Sequence, residues 1–274
     1  MNFSQATGLL GDSVDYMKNI TKEVLRGVVP AHRRFSRAGE SFLAAGEREV
    51  HELHRLVNNG TTAVDVGANV GDYTYALCRH VGPTGGVIAV EPIPDLARML
   101  SRATKRLGLP VKVFNCALSS RDGNAQLFIP VRNGKRLAGF ATLERRMVAG
   151  FSRRVILRRL DDLCRDVRGR ISFLKIDVEG HELEVLRGGV ETLRLHRPNL
   201  LVEIEQRHSP VPIFHTFDFL ASFGYAGEFL DESGARKALS CFDIVEHQTR
   251  RLGAVGTPAY VSNFIFQYRP GFQK

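Results

Sequence analysis

The most informative part of the chain is Asp65-Val66-Gly67-Ala68-Asn69-Val70-Gly71-Asp72-Tyr73-Thr74, because it places two glycines between a predicted strand and a predicted helix. The apolar run Thr61–Val66 predicts the strand, and a helix is predicted to begin at Tyr73. Glycine has no Cβ, so a turn of this kind lets a ligand approach the backbone closely. The turn therefore predicts a ligand site where the strand ends.

The residues between the glycines indicate which ligand fits. A dinucleotide-binding turn, G-x-G-x-x-G, would have glycine where this chain has Asn69 and Asp72. A pyrophosphate would rest on the helix N-terminus, beside the negative charge of Asp72. S-adenosylmethionine (SAM), a nucleoside with a positive sulfonium and no phosphate, suits Asp65 and Asp72 better. A strand–turn–helix with glycines for packing alone remains the alternative at this point.

A second signal follows about 20 residues beyond the turn, at the distance expected in a dinucleotide-binding or related sheet. Gly86–Val90 reads as a short buried strand and is followed by Glu91-Pro92. In a Rossmann-like sheet, an acidic residue at this position accepts hydrogen bonds from the ribose hydroxyls. Glu91 is therefore predicted to bind a ribose, the alternative being a solvated glutamate at a strand end.

Composition bounds the broad class of protein. A chain of 274 residues can bury a large core as one α/β domain. No apolar stretch approaches the length of a membrane span, and Met1–Glu40 lacks the apolar segment of a signal peptide. The four cysteines are far apart without a C-x-x-C pair, which argues against a zinc site and a disulfide framework. A reducing, cytoplasmic location is the default expectation.

The positive charge is concentrated in one part of the chain. Between Arg132 and Arg170 there are twelve Lys/Arg against four Asp/Glu, which is nearly the whole net charge of +9. Such a cluster, which includes Arg145 and Arg146, favours anionic partners. The alternative is a solvated basic face that serves solubility.

Strands and helices alternate along most of the chain, which predicts a mostly parallel sheet of seven strands with helices on both faces. The last strand is expected to be antiparallel at the end of the sheet. The predicted strands are Thr61–Val66, Val87–Glu91, Val111–Cys116, Ile171–Asp177, Asn199–Glu205, Tyr225–Leu230 and Val261–Tyr268. The predicted helices are Ser41–Val57, Tyr73–His80, Pro94–Leu107, Glu182–Leu195 and Phe214–Phe223.

The alternation breaks between residues 120 and 170. This segment is interpreted as an insertion that shapes the substrate site, with strands at Asn124–Ile129 and Val155–Leu160 and a short helix at Leu160–Val167. Residues 130–153 show no clear period. The residues before 45 are expected to form a peripheral helical extension.

A second dense motif is Phe173-Leu174-Lys175-Ile176-Asp177-Val178-Glu179-Gly180-His181-Glu182. A buried strand delivers Asp177 at its carboxyl end, where ligands bind in open α/β sheets. Asp177, Glu179 and His181 are therefore expected on the same rim as Gly67. Glu205, after the next strand, is expected to add a carboxylate there.

With these motifs the chain resembles the FkbM family of SAM-dependent methyltransferases. The resemblance covers roughly residues 45–267 and rests on Val64–Thr74, Val90–Pro92, Asn115–Leu118 and Phe173–Glu182. It implies a Rossmann-like class I methyltransferase fold, and residues 1–44 and 130–153 fall outside the resemblance. We expect a methyltransferase domain over residues 45–274, with an N-terminal helical extension over residues 1–44. The resemblance further implies O-methylation of a hydroxyl on a sugar or another small natural product, with the acceptor left open.

The residues expected to bind SAM come from the three strand ends and from Asn115–Leu118. The resemblance implies that the backbone of Asn115–Leu118 contacts the adenine. They are Asp65, Gly67, Asn69, Gly71, Tyr73, Thr74, Glu91, Pro92, Cys116, Ala117 and Asp177. His181 is the first candidate for the catalytic base that takes the proton of an acceptor hydroxyl, and Asp177 is the second. Glu179, Arg145, Arg146 and Glu205 are expected to bind substrate.

Several alternatives stay open. Asp177, Glu179 and Glu205 offer oxygen ligands for a divalent metal, although carboxylates on a rim are more often solvated or paired with arginine, and no metal is predicted. An NAD-type oxidoreductase is disfavoured by Asn69 and Asp72. A non-catalytic module that binds RNA or an anionic surface is the other alternative. The expected partner is a small-molecule acceptor, anionic or linked to a carrier, and nucleic acid is not expected.

Overall fold

The protein was analysed as a computed structural model, which describes residues 30–132, 134–144 and 149–271. The strands are β1 Thr62–Val66, β2 Gly86–Val90, β3 Val111–Phe114, β4 Ala117–Leu118, β5 Gly123–Arg132, β6 Lys135–Arg136, β7 Gly150–Arg158, β8 Ile171–Ile176, β9 Asn199–Glu203, β10 Tyr225–Leu230, β11 Arg236–Ala238 and β12 Asn263–Tyr268. The helices are α1 Ala31–Ala45, α2 Leu53–Leu56, α3 Asp72–Val81, α4 Pro94–Arg106, α5 Leu160–Cys164, α6 Glu182–Arg187, α7 Val190–His196, α8 Phe214–Ser222 and α9 Ile244–His247.

The central sheet has the strand order β11-β10-β12-β9-β8-β1-β2-β3. Strands β9, β8, β1, β2 and β3 are parallel to one another, so their carboxyl ends share one edge. Every residue of β8 is buried, as expected for a central strand covered on both faces. The predicted Rossmann-like class I fold is confirmed, with an eighth strand, β11, added at the edge.

The last strand does not lie where it was predicted. β12 is antiparallel, as expected, but it pairs with β9 on one side and with β10 on the other. Phe264 and Phe266 lie on one face of β12 and Ile265 lies on the other, and all three are buried. A strand with two apolar faces is suited to the interior of a sheet, so the prediction of an end position was wrong.

The prediction of one continuous helix over Ser41–Val57 was also wrong. Helix α1 ends at Ala45, and a 3₁₀ turn, Arg48–Glu52, leads into α2. Gly46 has an extended backbone where α1 ends, and a Cβ on it would come within 2.4 Å of Phe42, so glycine is favoured at this position. α1 packs on α3 through edge-to-face contacts of Phe35 with Tyr75 and of Phe42 with Tyr73.

The segment between residues 120 and 170 contains a β-hairpin. β5 and β7 pair antiparallel from Gly123–Leu157 to Pro130–Gly150, and the short β4 pairs with β7. The hairpin packs through a cluster that includes Leu127, Val155 and Leu157. The predicted strand Val155–Leu160 was too short at its beginning, because alternation of exposed and less exposed residues continues back to Gly150.

The predicted helix Glu182–Leu195 is two helices, α6 and α7, separated by Gly188 and Gly189. A Cβ on Gly188 would lie 2.1 Å from the carbonyl oxygen of Ser119, so this break allows a close approach to the chain after β4. The seven predicted strands of the central sheet begin and end within two residues of their predicted positions, and β11 was not predicted. In the described part of the chain, no helix is long and apolar enough to cross a membrane.

Candidate active site

A pocket of about 590 Å³, including its open mouth, lies at the carboxyl ends of β1, β2 and β8. The hairpin forms its opposite wall through Leu127 and the residues that follow β6. Nine of the residues predicted for the site line this pocket: Gly67, Asn69, Glu91, Pro92, Cys116, Ala117, Asp177, Glu179 and His181.

The glycine turn brings β1 against the end of β8. Gly67 has φ +83°, and a Cβ on it would lie 1.8 Å from the carbonyl oxygen of Asp177. The backbone N–H groups of Gly67 and Ala68 both donate to the carbonyl of Val90 at 3.0 Å. Only glycine permits this close approach and this backbone conformation together. The turn is therefore held to both neighbouring strands.

Glu91 lines the pocket and is held there by two backbone hydrogen bonds. Its Oε2 accepts a hydrogen bond from the backbone N–H of Asn69 at 2.8 Å, and its Oε1 accepts one from Ile93 at 2.7 Å. Burial raises the pKa of Glu91 to about 7, although the two backbone donors act to lower it. Each carboxylate oxygen keeps a second lone pair, so the side chain can still accept bonds from a diol.

Asp65 and Thr74, both predicted to bind cofactor, lie behind the pocket and bond to each other. Thr74 Oγ1 donates to Asp65 Oδ2 at 2.5 Å, and both residues are buried. Burial raises the pKa of Asp65 to about 6, with the Thr74 bond acting to lower it. Neither lines the pocket in this structure. Their geometry ties β1 to α3.

Gly71 and Tyr73 are likewise engaged away from the pocket. Gly71 has φ +96°, and a Cβ on it would lie 2.5 Å from Leu100 and 2.6 Å from Phe35. The hydroxyl of Tyr73 donates to Glu47 at 2.7 Å. Here glycine serves the packing of α1 and α4 against the turn.

Asp177 belongs to a charged cluster around the buried Lys175. Lys175 Nζ lies 4.0 Å from Asp177 Oδ2, 4.0 Å from Glu203 Oε2 and 3.3 Å from Asn263 Oδ1. Burial alone would lower the pKa of Lys175, but Asp177 and Glu203 outweigh it and raise that pKa. Burial, and then the neighbouring Asp177, raise the pKa of Glu203 well above its usual value. Lys175 was not predicted as a site residue. The signal that could have identified it is its position two residues before Asp177, which places both side chains on the same face of the strand.

His181 is held by hydrogen bonds at both ring nitrogens. Its Nδ1 lies 2.6 Å from Glu144 Oε1, and its Nε2 lies 3.0 Å from Ser119 Oγ. The side chain is 12% exposed, so the pocket still reaches it. Sequence reasoning missed Glu144 and Ser119, because both come from segments distant in sequence.

The two predicted substrate-binding glutamates differ in position. Glu179 lines the pocket and pairs with His208. Glu205 is 4% exposed and lies outside the pocket wall, where it accepts hydrogen bonds from Arg207 and from Tyr260. Burial acts to raise the pKa of Glu205, but the Arg207 bonds and charge lower it below the usual value.

Arg145 and Arg146 lie outside the described residues. Across residues 30–132, 134–144 and 149–271, no group of three or more His, Cys, Asp or Glu side chains is arranged to hold a metal ion.

The residues of the turn fit the adenosine part of SAM. Oδ1 of Asn69 is buried and accepts no hydrogen bond from any described residue, and Glu91 has lone pairs to spare. Asn69 and Glu91 both line the pocket and can accept hydrogen bonds, which the hydroxyls of a ribose or an amine of the ligand can donate. No lysine or arginine is among the described residues that line the pocket, so this part of it offers acceptors rather than the cations that would neutralise a pyrophosphate.

Comparison with known proteins gives a family match. The profile of the methyltransferase FkbM domain matches residues 65–226, more than half of the chain. Methyltransferase sdnD of Sordaria araneosa is 33% identical over 153 residues, covering 46% of this chain and 59% of that protein. Methyltransferase 1 of Beauveria bassiana is 28% identical over 142 residues, covering 46% and 57%. The chain thus spans less than two thirds of these curated relatives.

Among solved structures, the methyltransferase FkbM of Methylobacillus flagellatus KT is similar in fold, and the alignment covers 93% of this chain and 60% of the Methylobacillus chain. The TM-score is 0.49 and the sequences are 15% identical.

Proposed function

Because the chain belongs to the FkbM methyltransferase family, we propose that it transfers a methyl group from SAM to a hydroxyl of a sugar or another small natural product. The observation that carries this proposal is the presence of His181 and Glu91 in the walls of one pocket. One side chain can take a proton, and the other can hold a nucleoside. Glu91 and His181 alone would also suit an NAD-type oxidoreductase, so the family match is what favours methyl transfer over that alternative.

Three groups would hold the cofactor. Glu91 accepts the ribose hydroxyls, Asn69 Oδ1 accepts a further donor, and the glycine turn at Gly67 leaves the backbone open to the ligand. When bound, SAM supplies an electrophilic methyl group on a sulfonium. Pro92, Cys116 and Ala117 complete the wall on the β2 and β4 side.

An acceptor hydroxyl must lose its proton as it attacks, and His181 is the proposed base. Since Ser119 occupies Nε2 in this structure, the acceptor hydroxyl must replace the serine hydroxyl at that nitrogen. Asp177 is the second candidate, because it lines the same pocket and its side chain is 33% exposed. Burial raises the pKa of Asp177, although the charge of Lys175 acts to lower it, and the higher value suits a base.

Glu179 is proposed to contact the acceptor, since it lines the pocket, whereas Glu205 would act indirectly through its Arg207 and Tyr260 contacts. Arg145 and Arg146 remain proposed contacts for an anionic or carrier-linked acceptor. A cytoplasmic setting is part of the proposal and is supported by four cysteines without disulfide partners.

The test is a methyl-transfer assay with labelled SAM and an extract of the source cell, followed by identification of the labelled product. His181→Ala should lower kcat by about 10²–10⁴-fold and leave SAM affinity unchanged. His80→Ala is the control, because His80 contacts the carbonyl of Ala76 at the far end of α3. Label on nitrogen or carbon alone, or full activity of the His181 variant, would contradict the proposal.

A further inference from the structure

Glu144 is a carboxylate from the hairpin insertion that reaches the candidate base. We propose that Glu144 is a positioning residue, which fixes the proton of His181 on Nδ1 and leaves Nε2 as the basic nitrogen. The inference rests on the proposed function for its kinetic consequence, but not for the state of the resting ring.

The insertion places Glu144 by a connected set of hydrogen bonds. Thr142, which is 1% exposed, exchanges two backbone bonds with Phe128 on β5, at 2.8 and 2.9 Å. Its Oγ1 donates to the carbonyl of Glu179 at 2.7 Å and accepts from the N–H of Glu144 at 3.0 Å. The backbone before Glu144 is therefore anchored to the turn that carries His181.

The chemistry of the pair decides which nitrogen carries the proton. An ionised carboxylate can only accept a hydrogen bond, so the nitrogen 2.6 Å from Glu144 Oε1 must be an N–H donor. In the neutral ring the other nitrogen, Nε2, is then the acceptor, and the hydroxyl of Ser119 donates to it at 3.0 Å. Only this arrangement leaves Nε2 able to receive a proton.

Ser119 does not itself act in this arrangement. The order of serine, histidine and carboxylate is that of a hydrolase triad. However, Ser119 is 5% exposed and does not line the pocket, and its N–H donates to the carbonyl of Arg158. The serine therefore holds the ring while the acceptor is absent.

A purely structural role for Glu144 makes different predictions. As a clamp between the insertion and the His181 turn, it would affect stability and substrate affinity but not the tautomer of the ring. Glu184 provides a matched control. Its carboxylate interacts electrostatically with His181, but its hydrogen bonds go to Ser120 and Arg187. Glu184→Gln removes a similar charge without removing the Nδ1 bond.

The first experiment reads the ring directly, by ¹H–¹⁵N NMR of the imidazole in the unliganded protein at pH 8. We expect protonated Nδ1 and unprotonated Nε2 in the wild type and in Glu184→Gln. In Glu144→Gln, whose amide can donate as well as accept, the Nε2–H form should appear. A wild-type ring protonated on Nε2 alone, or an unchanged ring in Glu144→Gln, would overturn the assignment even if the protein methylated another group.

The second experiment is a double-mutant cycle on methyl transfer. Glu144→Gln should lower kcat by about 10–10⁴-fold, with the KM for SAM unchanged, because losing the group that orients a histidine costs about 10–100-fold at metal-bound histidines and about 10⁴-fold in the Ser-His-Asp triad. Glu184→Gln should keep the wild-type kcat. In a His181→Ala background, Glu144→Gln should have no further effect on kcat. An equal loss of kcat with and without His181 would show that Glu144 acts independently of the histidine and would refute the proposal.

Discussion

The backbone N–H of Asn69 donates to Oε2 of Glu91 at 2.8 Å, so the glycine turn after β1 is bonded to the side chain that follows β2. The other carboxylate oxygen is held by the N–H of Ile93. The Glu91 carboxylate is thus oriented by its own backbone surroundings. Such preorganisation lowers the entropy cost of binding a nucleoside.

The affinity for S-adenosylhomocysteine should rise with pH. The pKa of Glu91 is raised to about 7, and only the ionised carboxylate accepts both ribose hydroxyls while it keeps its two backbone donors. Calorimetry should show about a tenfold gain in affinity from pH 6 to pH 8. Glu91→Gln should abolish this gain.

Glu182→Gln is the control for this titration. The pKa of Glu182 is also raised to about 7 by burial, but the residue does not line the pocket. Its variant should keep the wild-type pH dependence. An identical pH response in Glu91→Gln and the wild type would remove Glu91 from the cofactor site.

Gly67→Ala should both destabilise the protein and prevent cofactor binding. The new Cβ would overlap the carbonyl of Asp177, and alanine is strained at φ +83°. We expect a loss of about 2–5 kcal/mol in the free energy of unfolding, measured with denaturant. Gly108→Ala is the matched control, because Gly108 has φ +65° with open space around it, and it should lose only about 1–2 kcal/mol.

Thr74→Val should destabilise the fold without weakening cofactor binding. It removes the hydroxyl that donates to the buried Asp65, at a cost of about 1–3 kcal/mol. The cost should be greater at pH 8 than at pH 5, because the pKa of Asp65 is about 6 and the ionised form loses its donor.

A buried threonine elsewhere gives the comparison for Thr74. Thr104→Val removes bonds only to the carbonyls of Leu100 and Ser101 in its own helix, so it should cost less and show no such pH dependence. A large loss of S-adenosylhomocysteine affinity in Thr74→Val, with stability intact, would instead place Thr74 in the cofactor site.

Local patterns carried most of the fold prediction. The glycine turn, the strand before it and the acidic residue after β2 are close in sequence, and their spacing alone relates them. The direction of a side chain cannot be predicted in this way. Nothing in the motif shows that Thr74 points towards Asp65 and not into the pocket. The break after α1 depends on contacts of Gly46 with Phe42 that a periodicity cannot reveal.

The partners of the candidate base lay beyond prediction for a related reason. Glu144 meets His181 across 37 positions of sequence, and Ser119 meets it across 62. Their contact depends on how the hairpin folds back over the carboxyl end of β8. No period or spacing within the insertion encodes that distance.

Glu182→Gln should stabilise the protein at alkaline pH. Glu182 is 4% exposed, with Oε1 accepting from the N–H of Gly180, and burial raises its pKa to about 7 from an unfolded value of 4.5. A raised pKa of a carboxyl favours folding below the unfolded value, and that contribution is lost as pH rises through the folded value. At pH 8 the wild type therefore carries a penalty of up to about 3 kcal/mol, which the neutral glutamine avoids. Thermal unfolding should show a gain in Tm for the variant that is larger at pH 8 than at pH 5.

Glu184→Gln is the control, and its effect on stability should have the opposite sign. Burial acts to raise the pKa of Glu184, but its bonds with Ser120 and Arg187 lower that pKa, so this variant should lose stability above the unfolded pKa. Equal Tm differences at both pH values for Glu182→Gln would mean that this carboxyl is not neutral in the folded protein below pH 7.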